Sequence, residues 1–209
     1  MLKVNEMFSS IQGEGIYMGL PMFFVRLTGC NLRCKWCDTK YAFTEGENME
    51  VDEVVKAVDR SGLDWVTLTG GEPLLQDDVY PLMYRLMNTH KILVETNGSV
   101  SVEDVPTEEN IAISLDIKTP SSGMHKAMKF ENLEYLGPGD FVKFVIMDDE
   151  DYSYSKKVLG EYSIDVDVVF QPVWGKDIKW LISKVMEDKL NVHVLPQLHK
   201  IIWGEKRGV

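Results

Sequence analysis

The 209-residue chain holds three cysteines, Cys30, Cys34 and Cys37, all inside the stretch GCNLRCKWCDTKY. An odd count without a secretory leader makes a disulfide framework a poor explanation. Thiolates gathered for a metal suit the spacing better. The same loop carries Asn31, Arg33, Lys35 and Asp38, and nearby cations favour the thiolate form. Structural zinc takes four protein ligands, and the four histidines, His90, His125, His193 and His199, all lie far along the chain. A closed zinc site would therefore need a distant fourth ligand. A [4Fe–4S] cluster also takes four cysteines as a rule. With three, one iron is left without a protein sulfur and is open to a substrate or cofactor. Inert buried cysteine is the alternative reading, and the polar loop argues against it.

Other polar residues fall in a regular relation to the apolar runs. Apolar runs at Met22–Leu27, Trp65–Leu68, Ile92–Val94, Ile111–Leu115, Phe141–Ile146 and Val166–Phe170 read as six strands. Helical periodicity marks Val51–Arg60, Asp77–Asn88, Asp149–Tyr162 and Lys176–Met186, with a short helix at Phe130–Leu136. Strand and helix alternate, which predicts parallel strands joined by helical crossovers. Six such units fall short of the roughly 250 residues of a full eightfold barrel, so the expected α/β fold is a partial (β/α)6-type barrel, with a doubly wound sheet as the competitor. One domain over residues 1–209 is expected.

In this layout the cysteine loop follows the first strand, and Thr69-Gly70-Gly71-Glu72-Pro73 follows the second. Glu95-Thr96-Asn97-Gly98, Asp116-Ile117-Lys118 and Gln171-Pro172 end the third, fourth and sixth. All are carboxyl ends of strands, where parallel α/β folds assemble their sites. Ser114, Asp116 and Lys118 alternate, so they share one side.

The net charge is −11, from 33 acidic and 22 basic residues. Such a surface repels a phosphate backbone, so a nucleic-acid substrate is not expected. The apolar share of 44% fills a single core. No window approaches a membrane span, and the N-terminus MLKVNEMFSSIQGEG lacks the features of a signal peptide. A cytoplasmic protein with no membrane partner is expected.

The C-x3-C-x2-C spacing, with Trp36 before the last cysteine, resembles the cluster motif of the radical S-adenosylmethionine (SAM) superfamily. Gly70-Gly71-Glu72-Pro73 is similar to that superfamily's GGEP segment. The resemblance implies a [4Fe–4S] cluster on Cys30, Cys34 and Cys37. SAM would chelate its unique iron, and one-electron cleavage would give a 5′-deoxyadenosyl radical. Gly70, Gly71 and Glu72 would receive the SAM amino group, Ser114 and Lys118 its ribose or carboxylate, and Gln171 its adenosine. Without the resemblance, the GGEP segment reads as a strand-to-helix turn with an early proline.

Phe8 to Gly15 (FSSIQGEG), Cys37 to Tyr41 (CDTKY) and Gln197 to Gly204 (QLHKIIWG) resemble signatures of the 7-carboxy-7-deazaguanine synthases, and the likeness spans nearly the whole chain. It implies conversion of 6-carboxy-5,6,7,8-tetrahydropterin to 7-carboxy-7-deazaguanine with loss of ammonia, on the route to 7-deazapurine nucleosides. Hydrogen would be abstracted from carbon 6, the ring would contract, and SAM would be regenerated. Gln12 and Glu14 would accept from the pterin edge and Arg26 would clamp its carboxylate. His199 would complete the pocket or move protons, and Thr39 would offer an oxygen to Mg2+. A flavodoxin- or ferredoxin-type electron donor and a homodimer are also implied. In some members the terminal carboxylate takes part in the site; here residues 205–209 extend past Trp203-Gly204, and that role is not carried onto Val209. Two rivals are a glycyl-radical activating enzyme, which would need an open docking face, and a small iron–sulfur electron carrier, which would not cleave SAM.

Overall fold

The computed structural model describes all residues, 1–209. Nine strands form one sheet: β1 (Leu2–Ile11), β2 (Pro21–Leu27), β3 (Glu47–Met49), β4 (Trp65–Gly70), β5 (Lys91–Thr96), β6 (Ile111–Ile117), β7 (Phe141–Ile146), β8 (Asp167–Pro172) and β9 (His193–Val194). Their order is β3-β1-β2-β4-β5-β6-β7-β8-β9. From β2 to β9 every pairing is parallel, whereas β1 pairs antiparallel with both β2 and β3. The parallel strands follow chain order without reversing, and a doubly wound sheet must reverse at its switch point. Strands β3 and β9 do not pair, so the sheet is a partial barrel, open on one side.

The six expected strands are present, most of them a residue or two longer than their apolar cores. Three strands lie outside that reading. β1 was hidden because its side chains are mostly half-buried and mixed in polarity, while β3 and β9 are only three and two residues long.

Helices α1 (Val51–Ser61), α2 (Val79–Leu86), α3 (Asp149–Glu161) and α4 (Ile178–Asp188) stand where periodicity placed them. Their ends follow local chemistry. A reciprocal capping box between Glu50 and Glu53 starts α1, and Gly62 in the left-handed conformation ends it. Asp148 caps α3 by accepting from the Asp151 amide. Phe130–Tyr135 is a 3-10 turn rather than an α-helix. A further helix, α5 (Leu198–Trp203), was not anticipated.

Alternation along the strands divides the side chains between two environments. One set, including Val25, Leu27, Val66, Leu68, Ile92, Val94, Val142 and Phe144, packs against the helices in a 31-residue core. The other set points into the barrel. Its amino-terminal layer is apolar: Met22, Phe24, Leu93, Ala112, Phe141 and Val169 close the floor, with Phe8, Tyr17, Trp65 and Leu195 packed against them. One or two pleat repeats further along the same face come Arg26, Thr69, Glu95, Ser114, Asp116, Lys143 and Gln171, all lining a cavity. The floor excludes water from below, so these polar groups open only toward the carboxyl ends of the strands.

Candidate active site

The cavity holds about 540 Å³ and is lined by all three cysteines. The cysteines are free and half-buried. The loop that bears them is anchored on both flanks. The Gly29 amide donates to the Ala42 carbonyl at 2.8 Å and the Lys35 amide to the Ser122 carbonyl at 3.0 Å, and Trp36 Nε1 donates to Ser121 Oγ at 3.0 Å. Cys30 Sγ accepts from the Leu32 amide at 3.4 Å and from Asn97 Nδ2 at 3.7 Å. Such donors stabilise a thiolate or a cluster sulfur. Burial pushes the Cys34 thiol up to about 11, against the pull of Lys118; a bound metal would reverse this outright. No group of three or more His, Cys, Asp or Glu side chains is drawn together round a single ion. The donor set fits a larger inorganic cluster with three protein corners.

Beneath this loop lies the Gly70-Gly71 segment. A Cβ on Gly71 would overlap the Gly29 carbonyl and sit 2.8 Å from Cys30 Cβ, so the two backbones meet only because glycine is there. The Glu72 amide donates to the Gly29 carbonyl at 2.8 Å. Glu72, expected with Gly70 and Gly71 to receive the SAM amino group, is fully buried, with its carboxylate engaged by the protein. Its Oε1 accepts from the Leu74 amide and Thr96 Oγ1, at 3.1 and 2.9 Å, and Oε2 accepts from the Asn97 amide at 2.6 Å. Burial raises its carboxyl to about 7 despite these three donors. Glu72 therefore fixes the β4 and β5 loops to one another, and the segment presents only Gly70 and Gly71 to the cavity.

Ser114, Lys118 and Gln171 all line the cavity. Lys118 Nζ donates to Asp116 Oδ2 at 2.6 Å and lies 5.7 Å from the Trp36 ring. Three cavity acceptors, Asp116 Oδ1, Gln171 Oε1 and Gln197 Oε1, are buried without a partner. Buried acceptors of this kind are costly unless satisfied, and a ligand rich in N–H and O–H donors fits them.

Gln12, Glu14, Arg26 and His199, expected from the sequence to meet the substrate, line the same cavity. Glu14 Oε2 accepts from Lys143 Nζ at 2.6 Å and Oε1 from Gln197 Nε2 at 2.8 Å. Burial alone would raise this carboxyl, but Lys143, then His199 and the Gln197 amide, hold it well below the usual carboxylate range. Lys143 faces Asp116 across the β6–β7 ladder, and its pKa is raised because Glu14 and Asp116 outweigh burial. Gln12 is buried, and both ends of its amide are used within the protein. Its oxygen accepts from the Glu14 amide at 3.1 Å and its nitrogen donates to Glu95 Oε1 at 3.0 Å. Gln12 thus shapes the turn that aims Glu14. His199 packs over Gly13, where a Cβ would overlap its ring.

Arg26 Nε donates to Glu6 Oε1 at 2.7 Å. Thr39 Oγ1 donates to Asp38 Oδ1 at 2.9 Å, which leaves its lone pairs free. Lys200 Nζ lies 3.1 Å from Asp38 Oδ2, tying α5 to the cluster loop. Both Arg26 and Thr39 line the cavity, as do residues 204–209.

Lys143 and Glu6 were missed by sequence reasoning. A signal existed for Lys143, the one charged residue in the otherwise apolar strand FVKFVI. None existed for Glu6, whose orientation depends on a strand irregularity.

The comparisons agree with this geometry. The sequence pattern of the Radical SAM superfamily matches residues 24–135. The 7-carboxy-7-deazaguanine synthase of Thermoplasma acidophilum is 42% identical over 207 residues, covering 99% of this chain and 99% of that protein. The protein of the same name from Koribacter versatilis is 38% identical over 230 residues, covering the whole of both chains at 100%. In fold, the chain is similar to the crystal structure of QueE from Escherichia coli, with a TM-score of 0.77, 24% identity, and coverage of 95% of this chain and 94% of that one.

Proposed function

Because the chain belongs to the radical SAM superfamily, and within it to the 7-carboxy-7-deazaguanine synthase family, we propose how its cavity carries out that family's reaction. The enzyme converts 6-carboxy-5,6,7,8-tetrahydropterin to 7-carboxy-7-deazaguanine and ammonia in 7-deazapurine biosynthesis. When bound, the [4Fe–4S] cluster and SAM together supply a radical that abstracts hydrogen from the substrate.

Cys30, Cys34 and Cys37 would hold the cluster, with Asn97 and the Leu32 amide supporting the Cys30 sulfur. Gly70 and Gly71 let the SAM methionyl portion approach the backbone, and Ser114, Asp116, Lys118 and Gln171 receive its polar groups. The orphaned Asp116 and Gln171 oxygens support that assignment. The pterin lies against the wall made by Glu14, Arg26 and His199. Glu14, kept anionic by Lys143, accepts from the N–H donors of the pterin edge. Arg26, which lines the cavity and makes its one hydrogen bond within the protein through Nε, receives the carboxylate on its terminal amino groups. Thr39, whose hydroxyl proton is directed to Asp38, offers its oxygen to Mg2+. The apolar floor excludes water.

We further propose a single radical SAM unit over residues 1–209 working in the cytoplasm, reduced by a flavodoxin- or ferredoxin-type protein. No helix is long and apolar enough to cross a membrane. Exposed Ile201 and Ile202 support a homodimer. Neither nucleic acid nor membrane is a partner.

The observation that carries the reading is the convergence of three thiols, unpartnered acceptors, Glu14 and Arg26 on one cavity. Anaerobically reconstituted protein, given SAM, reductant, Mg2+ and 6-carboxytetrahydropterin, is expected to release ammonia and the deazaguanine acid. Cleavage of SAM without either product would refute it.

A further inference from the structure

Strand β1 contains a bulge. Val4 stands opposite Leu27 and Glu6 opposite Arg26, so two steps along β1 answer one step along β2, and Asn5 is the extra residue. The bulge changes which face β1 presents. Val4 and Leu27 belong to the core beneath the helices, whereas Arg26 lines the cavity. In a regular strand Glu6 would share the face of Val4 and point at the helices. Bulges re-aim side chains in this way beside sites. Beyond the bulge the strand continues in register, with Phe8 opposite Phe24 and stacked on it.

Glu6 does not line the cavity; it stands behind Arg26. Its Oε1 accepts from Arg26 Nε at 2.7 Å and from the Tyr41 hydroxyl at 3.1 Å, and its Oε2 from Arg207 Nε at 3.0 Å. Arg207 also donates to Glu45 Oε2 at 3.0 Å and Asn5 Oδ1 at 2.9 Å, with its guanidinium carbon 3.8 Å from the centre of the Tyr41 ring. The Arg26 guanidinium carbon lies 6.0 Å from that ring and 5.9 Å from the ring of Phe8. One carboxylate therefore collects the cavity arginine, the segment just past the last cysteine and the chain's closing segment.

We propose that Glu6, turned toward the barrel interior by the Asn5 bulge, is a positioning residue that holds Arg26 by its Nε so that its terminal amino groups stay aimed at the carboxylate of the substrate. This deepens the functional reading above and rests on it. An arginine held only at Nε keeps a planar pair of N–H donors for a bidentate partner. A free guanidinium would have to be ordered at each binding event. Without the carboxylate, Arg26 has only the rings of Phe8 and Tyr41 to hold it.

The test uses the SAM-loaded holoenzyme and two non-reacting probes, 6-carboxypterin and pterin lacking the carboxyl group, titrated by fluorescence against wild type, Glu6→Gln and Glu6→Ala. Both variants are expected to bind 6-carboxypterin more weakly, Glu6→Ala by about tenfold or more, while binding of the carboxyl-free pterin is unchanged. In turnover, KM for the tetrahydropterin rises and kcat stays within roughly threefold. Equal weakening of both probes, or weakening of neither, overturns the proposal. If Glu6→Ala does not fold, Glu6→Gln decides by the same comparison. Failure of the wild type to convert the tetrahydropterin would instead count against the functional reading, which separates the two ideas.

Discussion

Lys143 on β7 donates to Glu14 Oε2 at 2.6 Å across 129 residues of sequence. The pair is almost out of water, with side-chain exposures of 8% and 18%. It joins the turn after β1 to the middle of the parallel sheet. A buried carboxylate that loses its cation is left uncompensated, which typically costs about 3–5 kcal/mol.

Lys143→Met is therefore expected to lose stability of that order at neutral pH by urea denaturation. The sign of the pH dependence follows from Glu14, whose folded pKa is depressed in the wild type. Its favourable contribution is present above the unfolded carboxylate value and disappears as pH falls through the folded one. In the variant Glu14 takes up its proton at higher pH, so the gap between the two proteins should narrow as the medium is acidified. A gap equal at pH 7 and pH 5 would mean that Lys143 acts by packing alone.

Glu72 behaves in the opposite sense. Its carboxyl is raised from 4.5 to about 7 by burial, so the folded state binds more protons than the unfolded one between those values. Its contribution is complete below the unfolded value and is lost as pH rises through the folded one. Glu72→Gln lacks that dependence but turns an amide N–H2 toward the donors that Glu72 accepts from, leaving at least one unsatisfied at about 1–3 kcal/mol. Melting temperatures of the two proteins from pH 4.5 to 8 should show the wild type's advantage shrinking as pH rises. Parallel curves would show that Glu72 does not titrate in this window.

Cys34→Ala removes one of three protein corners. After anaerobic reconstitution it should hold no cluster by iron and sulfide analysis, show no visible charge-transfer absorption, and form no deoxyadenosine from SAM. A fully loaded, SAM-cleaving variant would rule out cluster ligation by Cys34.

Gly71→Ala tests the close approach of two backbones under the cysteine loop. The added methyl overlaps the Gly29 carbonyl, which must shift together with Cys30. Iron incorporation should fall several-fold, while far-ultraviolet circular dichroism stays close to wild type. Normal incorporation would show that the loop yields without consequence for the cysteines.

The parts of this architecture that repeat were legible before any coordinates. Runs such as Phe141–Ile146 and the periodicity of Val51–Arg60 report burial directly, because each strand or helix follows its own local rule. The cysteine loop and the glycine pair were legible because their residue types have few other uses at that spacing. What stayed hidden depends on partners distant in the chain. That three donors converge on Glu72 could not be read from the sequence. Nor could the pairing of Gln12 with Glu95. The antiparallel start of the sheet escaped because β1 is half-buried along much of its length, so alternation never became clear. Arg26 was read as a clamp for a carboxylate, with no sign of its bridge to Glu6. The structure shows the bridge at Nε and leaves the terminal nitrogens free for the other role.

The outermost strands, β3 with three residues and β9 with two, have a bearing on how the protein behaves in crowded solution. A long, bare hydrogen-bonding rim invites a neighbouring molecule to zip onto it and seed fibrils. Here β9 is too brief a template for lasting pairing, and so is β3, although β3 shields only Leu2–Val4 of the ten-residue β1 behind it.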